Sequence, residues 1–298
     1  MATAHFKQSG ELIAGPGGTG WSLDALDRAA AGWQQLYHFA GSAGVNLCVV
    51  TGGGNTLRKV DFMAGHEGQL PTELQAQVDA VARWGTVENA RMMAMALTAR
   101  SVPNQVLLAP GMVQNDGTLG KSQPNTLENR LVAYAQGKIV VVGGGTGHNN
   151  CTTDAAVLTV AEEQAWHELE KADGDPGAAA QSWALKATKV HKVLNRDPRR
   201  EPENPDEPLI AYDVIDARHM LQHPANYGVR PEDLAERPDM FGIVDRETVD
   251  RLANSAVGVT LNVYNGEEHT PFQALDALMR REPLGTLILS AALAQTSL

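Results

Sequence analysis

Lys138-Ile139-Val140-Val141-Val142-Gly143-Gly144-Gly145-Thr146-Gly147-His148-Asn149-Asn150-Cys151-Thr152-Thr153-Asp154 reads as strand, loop and helix start. Five residues of strand propensity run into three glycines. A small, polar loop follows, and then Thr-Thr-Asp stands before an apolar helical pattern at Ala155, Ala156, Val157, Leu158 and Val160. Glycine lets the backbone approach a ligand closely, and the first N–H groups of a helix carry partial positive charge. Hydroxyls on Thr146, Thr152 and Thr153 can add neutral hydrogen bonds. The pattern fits a phosphorylated or otherwise anionic ligand, and it equally fits an ordinary glycine-rich turn after a parallel strand.

Composition narrows the classes around that segment. The 298 residues suffice for a sizeable core, and 43% apolar with 20% charged residues is ordinary for a globular protein. A net charge of −11 argues against non-specific binding to nucleic acid or to an anionic membrane. Two cysteines, Cys48 and Cys151, are too few for a disulfide framework or a Cys-based zinc site, which suits a reducing cytoplasm. The nine histidines lack ligand spacing, so no structural or catalytic metal site is expected from protein residues. No apolar run is long enough to span a bilayer, and Met1-Ala2-Thr3-Ala4-His5-Phe6 does not begin a signal peptide pattern.

Along the chain, Ala4-His5-Phe6 is the strand available before Lys7-Gln8-Ser9-Gly10-Glu11. Gly15-Pro16-Gly17-Gly18-Thr19-Gly20 matches the dinucleotide fingerprint but lacks the buried strand that the fingerprint needs. Ser22 predicts a helix cap, with Leu23, Leu26, Ala30, Trp33 and Tyr37 on the apolar face. Val45 to Val50 reads as a buried strand ending in Thr51-Gly52-Gly53-Gly54-Asn55, with Arg58 one helical turn on: a second phosphate-type signal. A helix from Leu74 to Leu97 carries Asp79, Thr86 and Asn89, with Val78, Val81, Ala82 and the methionines at 92, 93 and 95 available to the core. Gln105–Ala109 and Trp183–Val190 read as strands, Tyr212 onward and Asp245–Asn254 as helices, and Val257–Tyr264 and Thr286–Leu289 as strands. Alternating strands and helices predict an α/β fold with a largely parallel sheet covered on both faces. Neither a G-x-S-x-G elbow nor a Walker phosphate loop is present, and neither cysteine has the sequence signature of a catalytic thiol.

In order, Lys7-x-Ser9-Gly10-Glu11, Gly52-Gly53-Gly54-Asn55 with Arg58, Thr86-Val87-x-Asn89-Ala90, Gly145-Thr146-Gly147, Thr152-Thr153-Asp154, Lys186-Ala187-Thr188-Lys189-Val190, Asp197-Pro198 and Gly285-Thr286-Leu287-Ile288 resemble the bacterial uridylate kinases of the amino-acid kinase superfamily. The resemblance covers nearly the whole chain. It implies a three-layer α/β/α sandwich with a mainly parallel central sheet, and one domain over 1–298. Its acceptor-binding portion would span about 1–160 and its ATP-binding portion about 183–298, with a polar insertion at about 162–182. The implied activity is ATP-dependent phosphoryl transfer to a nucleoside monophosphate, with Mg²⁺ as cofactor, in a cytoplasmic homo-oligomer, often a hexamer. The same fold also accommodates kinases of other small phosphates or carboxylates, and non-catalytic anion-storage proteins.

By that likeness Lys7, Arg58 and Asp245 are the catalytic candidates, with Asp245 working with the lysine. Lys7, Ser9, Gly10, Gly54, Arg58, Thr188, Leu194 and Asp197 would face ATP. Gly53, Asp79 and the loop Thr146, Gly147, His148, Asn149, Asn150, Cys151, Thr152 and Thr153 would face the acceptor. The chemistry agrees, because phosphoryl transfer needs two anionic substrates held in line and charge neutralised on the transferring group, rather than a covalent intermediate. The chain departs from the pattern in its short polar strand before Lys7, in His191-Lys192 where Asp-Gly is usual, in the polar insertion before Trp183, and at two positions facing the ligands. The uridylate kinase loop carries a proline and two phenylalanines before Thr-Thr where this chain has Asn149, Asn150 and Cys151, and Leu194 replaces the aromatic expected beside adenine.

Overall fold

The computed structural model describes residues 1–14, 20–53, 72–110, 112, 123–145, 152–176, 179–188, 208–236, 240–241, 244–282 and 284–294. Two compact units divide the chain: Met1 with Phe6–Ala156, and Ala2–His5 with Val157–Leu298. Nine strands hydrogen-bond in the order β4-β3-β5-β2-β1-β6-β10-β11-β7, and β8 and β9 form a separate pair. The β2–β5, β3–β5, β3–β4, β6–β10 and β7–β11 pairs are parallel and β10–β11 is antiparallel, giving the mainly parallel α/β fold that the sequence predicts.

The N-terminal unit takes its strands from the end of β1 (Ala2–Gln8), from Phe6 on, and from β2 (Val45–Thr51), β3 (Asn104–Leu108), β4 (Gln123–Pro124) and β5 (Ile139–Gly143). Its helices are α1 (Leu23–Ala43), α2 (Thr72–Ala99), α3 (Leu127–Ala135) and the start of α4 (Thr153–Lys171). All five residues of β5 are buried, as a central parallel strand requires. Alternation along β2 sends its side chains to two helices: Thr51 bonds to Thr86 of α2, while Cys48 points to Arg130 and Tyr134 of α3. Ser22 caps α1 through its side chain, which accepts from Ala25 N at 3.2 Å, and Thr126 caps α3 in the same way. Phe6 meets Trp33 of α1 edge-on, with ring centroids 5.0 Å apart.

In the C-terminal unit β6 (Ser182–Thr188), β7 (Val214–Asp216), β10 (Thr260–Asn265) and β11 (Thr286–Leu289) contribute to the sheet. The paired strands β8 (Met240–Phe241) and β9 (Val244–Asp245) lie outside it. The helices are the rest of α4, then α5 (Ala217–Gln222), α6 (Pro231–Glu236), α7 (Arg246–Asn254), α8 (Pro271–Met279) and α9 (Ala291–Ala294). One apolar cluster joins Leu158 and Ala161 of α4, Met220 of α5, Leu252 of α7 and Leu261 and Val263 of β10. No helix among the described residues is long and apolar enough to cross a membrane.

Several local expectations are corrected. The first strand is not the three residues Ala4–Phe6 but seven, Ala2–Gln8, with the polar Thr3 and His5 fully buried. Their polarity is accommodated by neighbours, since Thr3 N donates to Gln181 O and His5 Nδ1 lies 3.2 Å from Trp183 O. Tyr212 does not begin a helix: Val214–Asp216 is an edge strand beside β11, and the helix starts only at Ala217. Leu23, Val81 and Met95, expected in the core, are 79%, 53% and 56% exposed. The helix that begins after Thr152 runs on through Trp166 and Leu169 to Lys171, before the Asp173-Gly174 break, as its apolar pattern predicts.

Burial pushes the Cys48 thiol up to about 12, even with the Arg130 guanidinium nearby. At pH 8 the thiolate that alkylating agents attack is therefore nearly absent. Peptide mapping after iodoacetamide treatment of the native protein should recover Cys48 unmodified, and denaturant should make it reactive. Rapid native labelling would contradict this packing.

Candidate functional site

The ends of β1 and β2 and the start of α4 meet in the N-terminal unit. Lys7 lies next to the last residue of β1, where the buried strand fixes its backbone while its amine reaches the strand's end. There Lys7 Nζ stands 3.3 Å from Asp154 Oδ1, with side-chain exposures of 15% and 5%. Asp154 is the second residue of α4, whose entry is set by Thr152: its Oγ1 accepts from Ala155 N at 3.1 Å, and its carbonyl accepts from Ala156 N. A carboxylate in the first turn is also favoured by the helix dipole. The arrangement places an ammonium group, a carboxylate and a helix N-terminus together, a combination able to receive a phosphate.

Gly52 sits against this group. Its N–H donates to Gln8 O at 2.8 Å, and a side chain at Gly52 would lie 3.5 Å from both Gly10 N and Thr153 Oγ1. Gly52 is therefore in ordinary van der Waals reach of both the β1 turn and the α4 start. Ser9 caps the short turn Gly10–Ile13, its Oγ accepting from Glu11 N at 3.4 Å. Gly53 packs on α2, where a Cβ would stand 3.2 Å from Thr86 Cγ2.

Helix α2 links the two glycine-rich turns. Thr86 Oγ1 accepts from Gly144 N at 2.7 Å and donates to Arg83 O at 2.8 Å, while the Thr51 hydroxyl donates to Thr86 O at 2.7 Å. One turn further on, buried Asn89 donates through Nδ2 to Gly52 O and accepts the Trp21 indole N–H at 2.8 Å. Gly52 after β2 and Gly144 after β5 are thus both held by side chains on one helix.

Of the sequence candidates, Lys7, Ser9, Gly10, Gly53, Thr152 and Thr153 come together in this unit. Asp79 lies within α2, its side chain outside the described residues. Gly54, Arg58, Thr146, Gly147, His148, Asn149, Asn150, Cys151, Leu194 and Asp197 also lie outside the described residues. In the C-terminal unit, Thr188 ends β6, where its carbonyl accepts from Gly266 N at 2.7 Å, and Asp245 stands at the N-cap of α7. The carboxylate paired with Lys7 is Asp154, a position to which the sequence motif alone assigns no role. Thr86 and Asn89 were likewise visible only as a motif. The signal available for Asp154 was its place immediately after Thr152-Thr153 at a helix start.

Residues 7–231 match the amino acid kinase family. A uridylate kinase of Bradyrhizobium sp. (strain BTAi1) is 34% identical over 197 residues, which is 66% of this chain and 69% of that protein. One from Aliarcobacter butzleri is 28% identical over 207 residues, 70% and 75% of the two chains. Among solved structures, the UMP kinase from Bacillus anthracis superposes with a TM-score of 0.66 at 18% identity, over 97% of this chain and 96% of that one. The Ureaplasma parvum UMP kinase gives 0.66 at 17% identity, over 97% and 99%. At such identities the structural likeness speaks for the fold.

Proposed function

The chain belongs to the amino acid kinase family, and on that premise we propose that it transfers the γ-phosphoryl group of ATP to the phosphate of a nucleoside monophosphate. The observation that carries the reading is the Lys7–Asp154 pair at the joined ends of β1 and α4, beside Gly52. In-line transfer between two anions demands positive charge where negative charge gathers. Lys7 supplies it at the transferring group, and Asp154 keeps the ammonium aimed while no phosphate is present. The first N–H groups of α4 and the turn at Gly52 and Gly53 add dipoles that need no reorganisation. The acceptor phosphate is itself an anion at neutral pH, so no side chain has to remove a proton from it.

ATP is the donor in this reading, with Ser9, Gly10, Gly54, Arg58, Thr188, Leu194 and Asp197 on its side and Asp245 supporting the phosphates. The acceptor meets Gly53, Asp79 and the loop Thr146–Thr153. Mg²⁺, when bound with ATP, would supply further charge neutralisation at the phosphates. Among the described residues no group of three or more His, Cys, Asp or Glu side chains gathers as a metal cage. A Mg²⁺ that arrives with ATP needs none, being held by phosphates, waters and one or two carboxylates, and Asp154 is a carboxylate at the site.

ADP formation measured across UMP, CMP, AMP, GMP and a set of small phosphates and carboxylates tests the reading. It predicts turnover with at least one nucleoside monophosphate, and turnover with small acids alone would overturn it. Within the nucleotides, Asn150 and Cys151 predict the order. Asparagine adds donors and an acceptor where the resembling kinases carry phenylalanine, so the acceptor pocket gains hydrogen-bonding capacity and loses apolar wall. A polar site rejects partners that leave its groups unpaired, by as much as about 10⁴-fold. UMP is therefore expected to be a poorer substrate than a more polar acceptor, and Asn150→Phe with Cys151→Phe should shift preference towards UMP. Efficient UMP turnover in the wild type, with no gain in the double variant, would refute the pocket argument.

A further inference from the structure

Trp21 is 42% exposed, yet its ring is not loosely held. Its indole N–H donates to Asn89 Oδ1 at 2.8 Å, and Asn89 is fully buried. An indole N–H can only donate, so the amide oxygen of Asn89 must face it and the amide nitrogen must face the other way. That nitrogen donates to Gly52 O. The backbone around Trp21 is equally constrained: Gly20 has φ 64°, Ser22 N donates to Ile13 O at 3.2 Å, and the Ser22 side chain caps α1. A large aromatic surface is thus left in water, in one orientation, by a hydrogen-bond chain that ends on the glycine turn of the candidate site.

We propose that Trp21 is a specificity-determining residue that presents its indole face to the base of the acceptor nucleotide. The inference rests on the reading of the acceptor as a nucleoside monophosphate. Gly52 separates two ends of the site. Its N–H is bonded to Gln8 O on the β1 side, where Lys7 and Asp154 lie, and its carbonyl is bonded to Asn89 on the α2 side, where Trp21 lies. An acceptor phosphate received at Lys7 leaves its nucleoside end to reach across Gly52 towards the indole. A base stacked there covers apolar surface that is otherwise hydrated, and a π face accepts any base, so the surface selects for a base rather than for one base. Such a stack would let a chain without the loop phenylalanines of the resembling kinases still hold an aromatic base.

Equilibrium binding of UMP, CMP and ribose 5-phosphate to wild type, Trp21→Phe and Trp21→Ala tests this. Circular dichroism would confirm the fold and sedimentation velocity the assembly. Ribose 5-phosphate shares the sugar phosphate and lacks the base. Trp21→Ala should weaken binding of the nucleoside monophosphates by about tenfold or more, as expected for one lost stacking partner. It should change ribose 5-phosphate affinity by less than about twofold, and Trp21→Phe should retain part of the nucleotide affinity. With ATP present, the acceptor KM should rise more than kcat falls. Equal loss for all three ligands would overturn the inference, reducing Trp21 to a support for Gly52. Unchanged nucleotide affinity, a change confined to sedimentation, or a wild type that binds no nucleoside monophosphate would overturn it as well. Binding is read without turnover, so Trp21-dependent binding in a protein that phosphorylates nothing would count against the kinase reading alone. Turnover with an acceptor KM indifferent to Trp21 would count against this inference alone.

Discussion

Replacing Lys7 by methionine should reduce phosphoryl transfer by about 10² or more while the chain still folds, since a charge placed where the transition state accumulates negative charge is typically worth that much. A variant retaining more than about a tenth of the rate, about 1.4 kcal/mol of barrier, would remove Lys7 from the mechanism. The structure adds a stability consequence. Asp154 is buried, with side-chain exposure of 5%, and methionine would leave it without the lysine 3.3 Å away. Breaking a buried pair from one side typically costs about 3–5 kcal/mol, and the 15% exposure of the Lys7 side chain places this case at or below about 3 kcal/mol. Asp154→Asn on the Lys7→Met background removes the carboxylate charge that Lys7 faced. The double variant should therefore melt higher than Lys7→Met while remaining inactive. This separates the two roles of the pair, because stability recovers and activity does not. Recovery of neither, with both single variants as stable as wild type, would mean the ion pair contributes nothing to the fold.

Gly285→Ala should destabilise the C-terminal unit by about 3 kcal/mol or more. Gly285 has φ 107°, a conformation that L side chains rarely adopt. A Cβ there would also collide with the Val263 carbonyl oxygen and come within 3.0 Å of Tyr264 Cα. Both belong to β10, which pairs with β6 on one side and β11 on the other, so the backbone cannot yield without disturbing three strands. Thr286, the next residue, is tied to Tyr212 O through its hydroxyl at 2.6 Å, which leaves β11 little room to move. Calorimetry should show a melting temperature lower by about 6–12 °C. Gly41→Ala is the control: Gly41 lies in α1 with nothing within 4 Å of an added Cβ, and alanine there should be neutral or stabilising. Melting of Gly285→Ala within about 2 °C of wild type would contradict the packing described.

These residues also mark where the sequence was legible. Ile139–Gly143 could be read as a strand because an unbroken apolar run ending in glycines has few other uses, and all five residues are buried. The order of motifs pointed to the fold for a similar reason, since each glycine turn follows a buried strand. Thr3 and His5 break the apolar pattern, so the sequence shows a first strand shorter than Ala2–Gln8. Their partners, Gln181 and Trp183, lie far away in sequence and could not be anticipated. Val214–Asp216 carries no strand signal, because three residues are too few to show a period. Leu23, Val81 and Met95 satisfy helical spacing yet lie on exposed arcs, because spacing defines a stripe and not its width.

The site shows the same division. Lys7 and the glycine turns could be named from local pattern, whereas the pairing of Lys7 with Asp154 joins residues 147 positions apart and exists only once β1 and α4 are in place. The tie from Trp21 through Asn89 to Gly52 spans three segments and carries no sequence signature.

The most direct measurement of the central claim follows the label from ATP carrying a radioactive γ-phosphate, incubated with Mg²⁺, a nucleoside monophosphate and either wild type or Lys7→Met. Chromatography of the products should show label in the nucleoside diphosphate for the wild type and almost none for the variant. Label that remains in ATP with every nucleoside monophosphate, or that is released only as inorganic phosphate, would contradict the account.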